Sequence, residues 1–357
     1  MSATKKKTAR PSGRTRTATR ERSRNPGIML SSTLDEVAQA AKVSTATVSR
    51  YFNAPHMLSP QTALRVREAV QQLGYVPNLM AGALATSRTR LVAAVIPAIS
   101  QSIFASTIQA LSDAMVEQGY SVLLGLTGLH DENAERQLLS IIGRRPDGII
   151  LTGTALGLDT RRLLKSAAIS TIETWDLPRD PIDLVVGFSH EAVGRALAAH
   201  ALDIGRRRAL VVSASGVRAR ARSSGFSKAM LEHGTPEPVV AFYDGVARYR
   251  HGRSAVTDHL LAGGRPEIVV CSSDWHAHGA LDALRAHGMR VPEDVAVVGF
   301  GDLDFASELD PSLTTVKIDG RLIGQQSAAF LLRRVQHQRI HEPVVDVGFT
   351  LIRRASS

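Results

Sequence analysis

The residues best placed to do chemistry lie in the stretch TLDEVAQAAKVSTATVSRYFNAPHMLSPQTALRVREAVQQLGYVPN, from Thr33 to Asn78. That chemistry is recognition of a base-paired duplex. Arg50 can fork onto O6 and N7 of a guanine, and Ala46 can meet a thymine methyl. Thr47 and Ser49 can donate to phosphates, which orient a protein on DNA without reading its sequence. Thr45, Ala46, Ser49 and Arg50 share the outer side of one helix if Val48 and Phe52, four apart, pack inward.

Three short helices must hold these side chains. The first starts at Thr33, which with Glu36 forms a capping box, and carries Leu34, Val37, Ala38 and Ala41 on one face. Lys42 and Val43 make the turn, and Ser44 caps the second helix. The third follows Ser59-Pro60, has the stripe Val66, Ala69, Val70 and Leu73, and ends at Gly74. In a helix-turn-helix, the N-terminal residues of the second helix meet base edges in the major groove. A plain three-helix bundle with a solvated arginine face has the same periodicities, so the pattern alone leaves both readings open.

Charge separates along the chain in the same sense. Of the net +10, residues 1–30 contribute +8 and residues 31–90 contribute +3, leaving −1 for the rest. Basicity concentrated at the helix-turn-helix end is what a phosphate-binding module requires. Residues 1–30 have almost nothing to bury and read as a disordered basic arm. Non-specific DNA affinity, a solubilising tail and an incorrectly assigned start remain equal readings of it.

Other functional classes find little support. No run of 18 apolar residues suggests a membrane span, and the basic N-terminus lacks the apolar core of a secretory signal. Cys271 is the single cysteine, so no intrachain disulfide can form. A cytoplasmic protein without cofactor or metal is expected. His276 and His278 form an H-x-H, but residues two apart do not share a helix face, and no zinc-type His/Cys spacing accompanies them. Neither a G-x-S-x-G elbow nor a Walker loop occurs, and no acid/base pair stands out.

From Leu91 onward apolar runs alternate with helical stretches: LVAAVIP, Ile103 to Gln118, YSVLLGL, a helix near Glu132–Gly143, then DGIILTG, RRALVVS and EIVVCSS. This alternation predicts an α/β fold of doubly wound parallel sheets in two blocks. Ligands in such folds bind at the carboxyl ends of the strands.

TLDEVAQAAKVSTATVSRYFN followed by LSPQTALRVREAVQQLGYVPN resembles the N-terminal signature of the LacI/GalR family of bacterial transcription regulators. DGIILTG, SSDWHAHGALDALRAHGMRVPEDVAVVGFGD and DPSLTTVKID extend the resemblance over nearly the whole chain. After the basic arm at 1–30, it implies a helix-turn-helix domain at 31–77, a hinge helix and linker at 78–90, and a two-lobed periplasmic-binding-protein-like domain at 91–357. Lobe one is expected at 91–187 plus 313–340, and lobe two at 188–312 plus 341–357. Thr45, Ala46 and Arg50 occupy the family's base-reading positions, with Thr33, Ser44, Thr47, Ser49 and Asn53 beside them. Asn78, Ala81 and Leu84 match the hinge helix, where the resemblance implies that Leu84 wedges into the minor groove. A linker leucine packed on its own domain is the plainer reading of Leu84.

The resemblance also carries over effector positions: Ser100, Gln101 and Phe104 after the first strand, Trp175 with Glu173 and Asp176, Arg222, then Ser273, Asp274, Trp275 and Asp302. Gly301 stands where many sugar-responsive relatives have an aspartate. Arg218, Arg220 and Arg222 bring cations near the same place, and guanidinium matches carboxylate and phosphate in a two-bond fork. A solvated helix face remains the alternative for Arg218 and Arg220. VVGFSHEAVGRAL, GFGDLDFASELDPSL and VVDVGFTL look most like the gluconate-operon repressor branch. The expected partners are double-stranded operator DNA, a small sugar-acid effector and a second copy of the chain; no leucine heptad follows Ile352 to suggest a tetramer. Other sugars, sugar phosphates or a purine-like corepressor stay open as effectors. An exported sugar-binding protein and a cleft enzyme of the same fold are the remote alternatives.

Overall fold

The computed structural model describes residues 32–77, 88–128, 131–152 and 156–357. The basic arm and the hinge positions Asn78, Ala81 and Leu84 lie outside the described residues. The chain divides into two compact units, residues 1–79 and 80–357.

In the first unit α1 (Leu34–Ala41), α2 (Thr45–Asn53) and α3 (Pro60–Leu73) close around Val37, Ala38, Ala41, Val48, Val66 and Ala69. Val37, Val48 and Val66 are fully buried, each contributing about 2 kcal/mol. Local chemistry sets every helix start. Thr33 accepts from the Glu36 amide while Glu36 accepts from the Thr33 amide, and Ser44 and Ser59 cap the next two helices. Lys42 takes the left-handed conformation at the turn (φ 52°), and Gly74 does so at the end of α3.

The second unit contains two parallel sheets. The first has the order β11-β5-β4-β3-β1-β2, from β1 (Leu91–Ile96), β2 (Ser121–Leu126), β3 (Gly148–Thr152), β4 (Ser170–Thr174), β5 (Leu184–Gly187) and β11 (Val344–Asp346). The second runs β7-β6-β8-β9, from β6 (Ala209–Ala214), β7 (Val239–Tyr243), β8 (Ile268–Cys271) and β9 (Ala296–Val298). Helices α4 (Ala105–Glu117), α5 (Asp131–Ile142), α6 (Leu158–Ser166) and α11 (Gly320–Val335) intersperse the first sheet's strands; α7 (His190–Asp203), α8 (Val217–Glu232), α9 (Tyr249–Leu261) and α10 (Asp274–Ala286) alternate with those of the second. Strands buried on both faces, such as β3 and β8, need continuous apolar runs, and GIILT and IVVC provide them.

The lobe boundaries near the C-terminus need correction. Val344–Asp346 pairs in parallel with β5, so it belongs to lobe one and not to the expected lobe-two segment 341–357. β10 (Thr315–Lys317), expected in lobe one, pairs antiparallel with β12 (Thr350–Ile352) and follows Thr314, which bridges to Val298 of the second sheet. The backbone crosses between the lobes as many times as expected, but the last two crossings fall later, after Lys317 and after Asp346. VVDVGFTLI reads as one extended run, yet Gly348 in left-handed conformation (φ 65°) separates its two pairings.

Helices α7 and α8 meet at glycines. A Cβ on Gly194 would lie 2.2 Å from the Arg222 carbonyl oxygen, and one on Gly225 2.5 Å from the Glu191 carbonyl oxygen. Both obstacles are backbone and cannot rotate away. Gly194→Ala is expected to lower stability by about 3 kcal/mol, read as a fall in the urea midpoint of unfolding; an unchanged midpoint would show that the helices separate without cost.

Candidate DNA-reading helix and effector cleft

On α2, Thr45, Ala46, Ser49, Arg50 and Asn53 are exposed, opposite buried Val48. The other short polar side chains are partly committed within the unit. Ser44 Oγ accepts from the Thr47 amide and lies 2.9 Å from Thr47 Oγ1. Asn53 Nδ2 donates to the carbonyl and hydroxyl of Ser49 at 3.0 and 3.3 Å. Thr33 is exposed and occupied as the cap of α1. Arg50, Ala46 and Thr45 thus form the part of this surface with no structural duty. Phe52 is half-buried between Tyr51 and Tyr75, at ring separations of 5.1 and 6.0 Å, and sets the roll of the helix.

In the second unit a cleft of about 390 Å³ opens at the carboxyl ends of the strands, where parallel sheets place their ligands. Ser100, Gln101, Phe104, Trp175, Arg222, Ser273 and Trp275 all line it, as expected. Trp175 is 2 % exposed and left-handed (φ 66°), a conformation costing a non-glycine residue about 1 kcal/mol or more. Its surroundings hold it there. Its Nε1 donates to Thr107 Oγ1 at 3.0 Å, and its ring stands edge-on to Phe104 and Phe188. Gly187 makes room for the turn, since a Cβ there would lie 2.1 Å from the Asp176 carbonyl oxygen.

Arg222 is the centre of the cleft's charge. Its Nη1 lies 2.9 Å from His190 Nδ1, its Nη2 donates to the Ser272 carbonyl at 3.1 Å, and its Cζ sits 3.8 Å over the Phe300 ring. Arg218, one helical turn earlier on α8, points to the same side, with Nη1 3.5 Å from the Trp175 carbonyl and Cζ over Phe104. Burial, followed by repulsion from Arg218, pulls Arg222 down to about 9, and burial pulls Arg218 down to about 10. Both therefore stay charged near neutrality. Asp176 also lines the cleft, its carboxyl raised by burial. Arg161 and Glu173 line the cleft too and neutralise each other at 2.8 Å.

Three expected positions serve elsewhere. Arg220 turns out of the cleft to donate to the Ser215 carbonyl and lie over Phe242. Asp274 is fully buried and does not line the cleft; it accepts from Thr315 Oγ1 at 2.6 Å and the Leu303 amide at 2.8 Å. Burial pushes its carboxyl up to about 6. Each helical residue rotates the side chain by roughly 100°, so Asp274 faces inward while Ser273 and Trp275 on either side line the cleft. Asp302 holds Arg354 at 2.7 Å and Lys317 at 3.5 Å, tying the C-terminal segment to its lobe. Gly301 does not itself line the cleft; a side chain there would reach Ile103, which does.

His190 and Arg161 escaped the sequence reading. His190 is the first residue of α7, directly after the cap Ser189 and two residues beyond Phe188. A titratable residue opening a helix at a strand's carboxyl end is a signal the sequence does contain. His276 and His278 face apart: His276 is fully buried near Ser272, while His278 lies by Asp282. Among the described residues no cluster of three His, Cys, Asp or Glu side chains could hold a metal, and no helix is long and apolar enough to cross a membrane.

Comparison with known proteins agrees with both units. The family model described as bacterial regulatory proteins, lacI family, matches residues 33–78, and that of a periplasmic binding protein-like domain matches residues 198–357. The HTH-type transcriptional regulator GntR of Pseudomonas aeruginosa is 30% identical over 332 residues, covering 91% of this chain and 95% of the relative. A LacI-family transcriptional regulator from Silicibacter pomeroyi superimposes with a TM-score of 0.85 at 29% identity, over 91% of this chain and 98% of that one. The lac repressor dimer bound to operator and the anti-inducer ONPF gives 0.80 at 26% identity, over 92% and 99%. With an exposed polar face on the second helix of a helix-turn-helix and a cleft at the strand ends of a two-sheet unit, this chain belongs to the lacI family of bacterial regulatory proteins and is a DNA-binding transcriptional regulator, not an enzyme.

Proposed function

We propose that this regulator represses a sugar-acid utilisation operon and that a gluconate-like anion, bound between Arg218 and Arg222, relieves the repression. The observation that carries this reading is the charge of the cleft. Among the described lining residues the Arg161–Glu173 pair cancels and Arg222 has no carboxylate at salt-bridge distance. A surplus cation in a partly dry site favours an anionic ligand, and the fork of a guanidinium suits a carboxylate. Exposed Ser100 and half-buried Gln101 and Ser273 suit the hydroxyls of a sugar chain, and Phe104 and Trp175 suit its apolar face.

In this reading two copies pair through their effector domains and place two α2 helices on a near-palindromic operator, since operator symmetry mirrors protein symmetry. Thr45, Ala46 and Arg50 read bases, and the minor-groove contact falls to Asn78, Ala81 and Leu84, which lie outside the described residues. Linkage then requires that an effector which weakens DNA binding should itself bind the DNA-bound form less tightly.

The deciding experiment is fluorescence anisotropy of a labelled palindromic duplex from the protein's own upstream region, with and without gluconate at fixed salt. Tight binding that gluconate weakens is expected. Tight binding indifferent to gluconate would remove gluconate and direct the search to other sugars and phosphates. Arg222→Ala should abolish the response while leaving effector-free operator affinity in place; a normal response would remove Arg222 from the pocket. Arg50→Ala should lose about 1–3 kcal/mol of operator affinity, and Leu84→Ala should lose operator affinity yet keep effector binding.

Affinity for gluconate should also depend on pH. Arg222 titrates at about 9 in the free protein, and a bound anion raises that value. Binding is therefore full below about pH 9 and weakens as pH rises through it. Calorimetric titration from pH 7 to 10 checks this; a flat profile would mean that Arg222 stays charged across this range or that the anion does not contact it.

A further inference from the structure

We infer that His190 is a positioning residue: a neutral imidazole whose Nδ1 lone pair holds the Arg222 fork in the pose that meets the effector's anionic group. The inference rests on the proposed anion-binding role of Arg222 and extends it to a residue on a different helix.

The partners of His190 define its state. A guanidinium has only N–H donors and a backbone carbonyl only accepts. Nδ1 lies 2.9 Å from Arg222 Nη1 and must accept; Nε2 lies 2.9 Å from the Trp175 carbonyl and must donate. One proton on Nε2 satisfies both contacts. A second proton, on Nδ1, would point at an N–H of Arg222 and break the contact.

The surroundings favour the same form. His190 is 5 % exposed, with Phe188 edge-on at 4.5 Å and Phe300 tilted at 6.5 Å. Among the described residues, the charged groups acting on it are Arg222 and Arg218 on α8; Asp176 follows its acceptor Trp175 in sequence, and Glu191 is its neighbour on α7. Burial first, then the two arginines, hold the imidazole well below its ordinary titration range.

The arrangement has a use for a ligand. His190 and the Ser272 carbonyl each occupy one donor of Arg222, from different terminal nitrogens, and the Phe300 ring covers one face of the guanidinium. These contacts fix the plane of the fork. Arg222 Nε makes no hydrogen bond although buried, and the donors not taken by protein are left for an anion. A carboxylate in place of His190 would neutralise the cation; a neutral acceptor orients it and leaves its charge for the ligand. The Gly194 and Gly225 contacts bring α7 close enough to α8 for this bond.

The test compares His190→Gln with His190→Leu in the full chain, using gluconate as the probe in calorimetric titration at pH 7.5. Glutamine can accept from Arg222 through Oε1 and donate to the Trp175 carbonyl through Nε2, and it cannot protonate. Gluconate affinity within about threefold of wild type for His190→Gln, and at least tenfold weaker for His190→Leu at an unchanged urea midpoint, is the expected result. Equal losses in both variants, or wild-type affinity in His190→Leu, would overturn the proposal. A second readout does not depend on the effector. The ¹⁵N spectrum of the free protein should show the His190 ring protonated at Nε2 alone and not titrating between pH 8 and 5; an Nδ1-protonated or titrating ring overturns the proposal. If wild-type protein fails to bind gluconate, the sugar-acid reading falls and this spectrum still decides the role of His190.

Discussion

A guanidinium more than nine-tenths buried is the constraint on which the cleft depends. Arg222 takes no carboxylate at salt-bridge distance among the described residues. A buried charge without compensation is costly, so the protein must supply it in other ways. The face of Phe300, the carbonyl of Ser272 and the lone pair of His190 do so without removing the positive charge. Asp176 adds attraction at a distance. Direct pairing with a carboxylate would have made the fold more tolerant of Arg222 and the cleft less useful to an anion.

That solution determines much of the neighbouring architecture. His190 reaches Arg222 because α7 and α8 approach to glycine distance, and it reaches the Trp175 carbonyl because Trp175 accepts a left-handed backbone. The strain at Trp175 is supported by the indole bond to Thr107, which itself donates to the Gly320 carbonyl. A Cβ at Gly320 would fall 2.4 Å from Ser106 Oγ and 2.9 Å from Thr107 Oγ1. Thus the N-termini of α4 and α11, the end of β4 and the start of α7 all contribute to the pose of one arginine. None of these contributions is large by itself, and each removes a freedom that another would otherwise need to restrain.

The sequence revealed those features whose causes are local. Capping by Thr33, Ser44 and Ser59, the apolar stripe of α3 and the buried runs of β1 and β3 depend on neighbours within a few residues, and the structure forms them where the periodicity expects. Cleft membership was legible for Ser273 and Trp275 and not for Asp274, because a helix start changes facing direction at every step. Asp302 failed for a different reason: its partners Lys317 and Arg354 arrive from segments 15 and more residues away. The crossing of Val344–Asp346 to the first sheet was hidden too, since an edge strand and a crossover strand share the same composition. His190 needed two contacts from distant segments before its role could be seen.

For a regulator, the origin of Arg222's partners matters more than their number. Ser272 belongs to the end of a strand in the second sheet, and the Trp175 carbonyl, reached through His190, to the end of a strand in the first. In the proposed mechanism an anion that takes the free donors of Arg222 pulls on a hydrogen-bonded chain that reaches the first lobe through His190. A ligand shifts an equilibrium only by its differential affinity for the two states. The hydrogen bond from His190 to the Trp175 carbonyl is one way to create that difference, because it links the residue that orients the fork to the first lobe, and a change in lobe angle must strain it. In the proposed mechanism, an arginine anchored within one lobe would bind the same anion with little preference between lobe angles, and the effector would be tightly held yet silent.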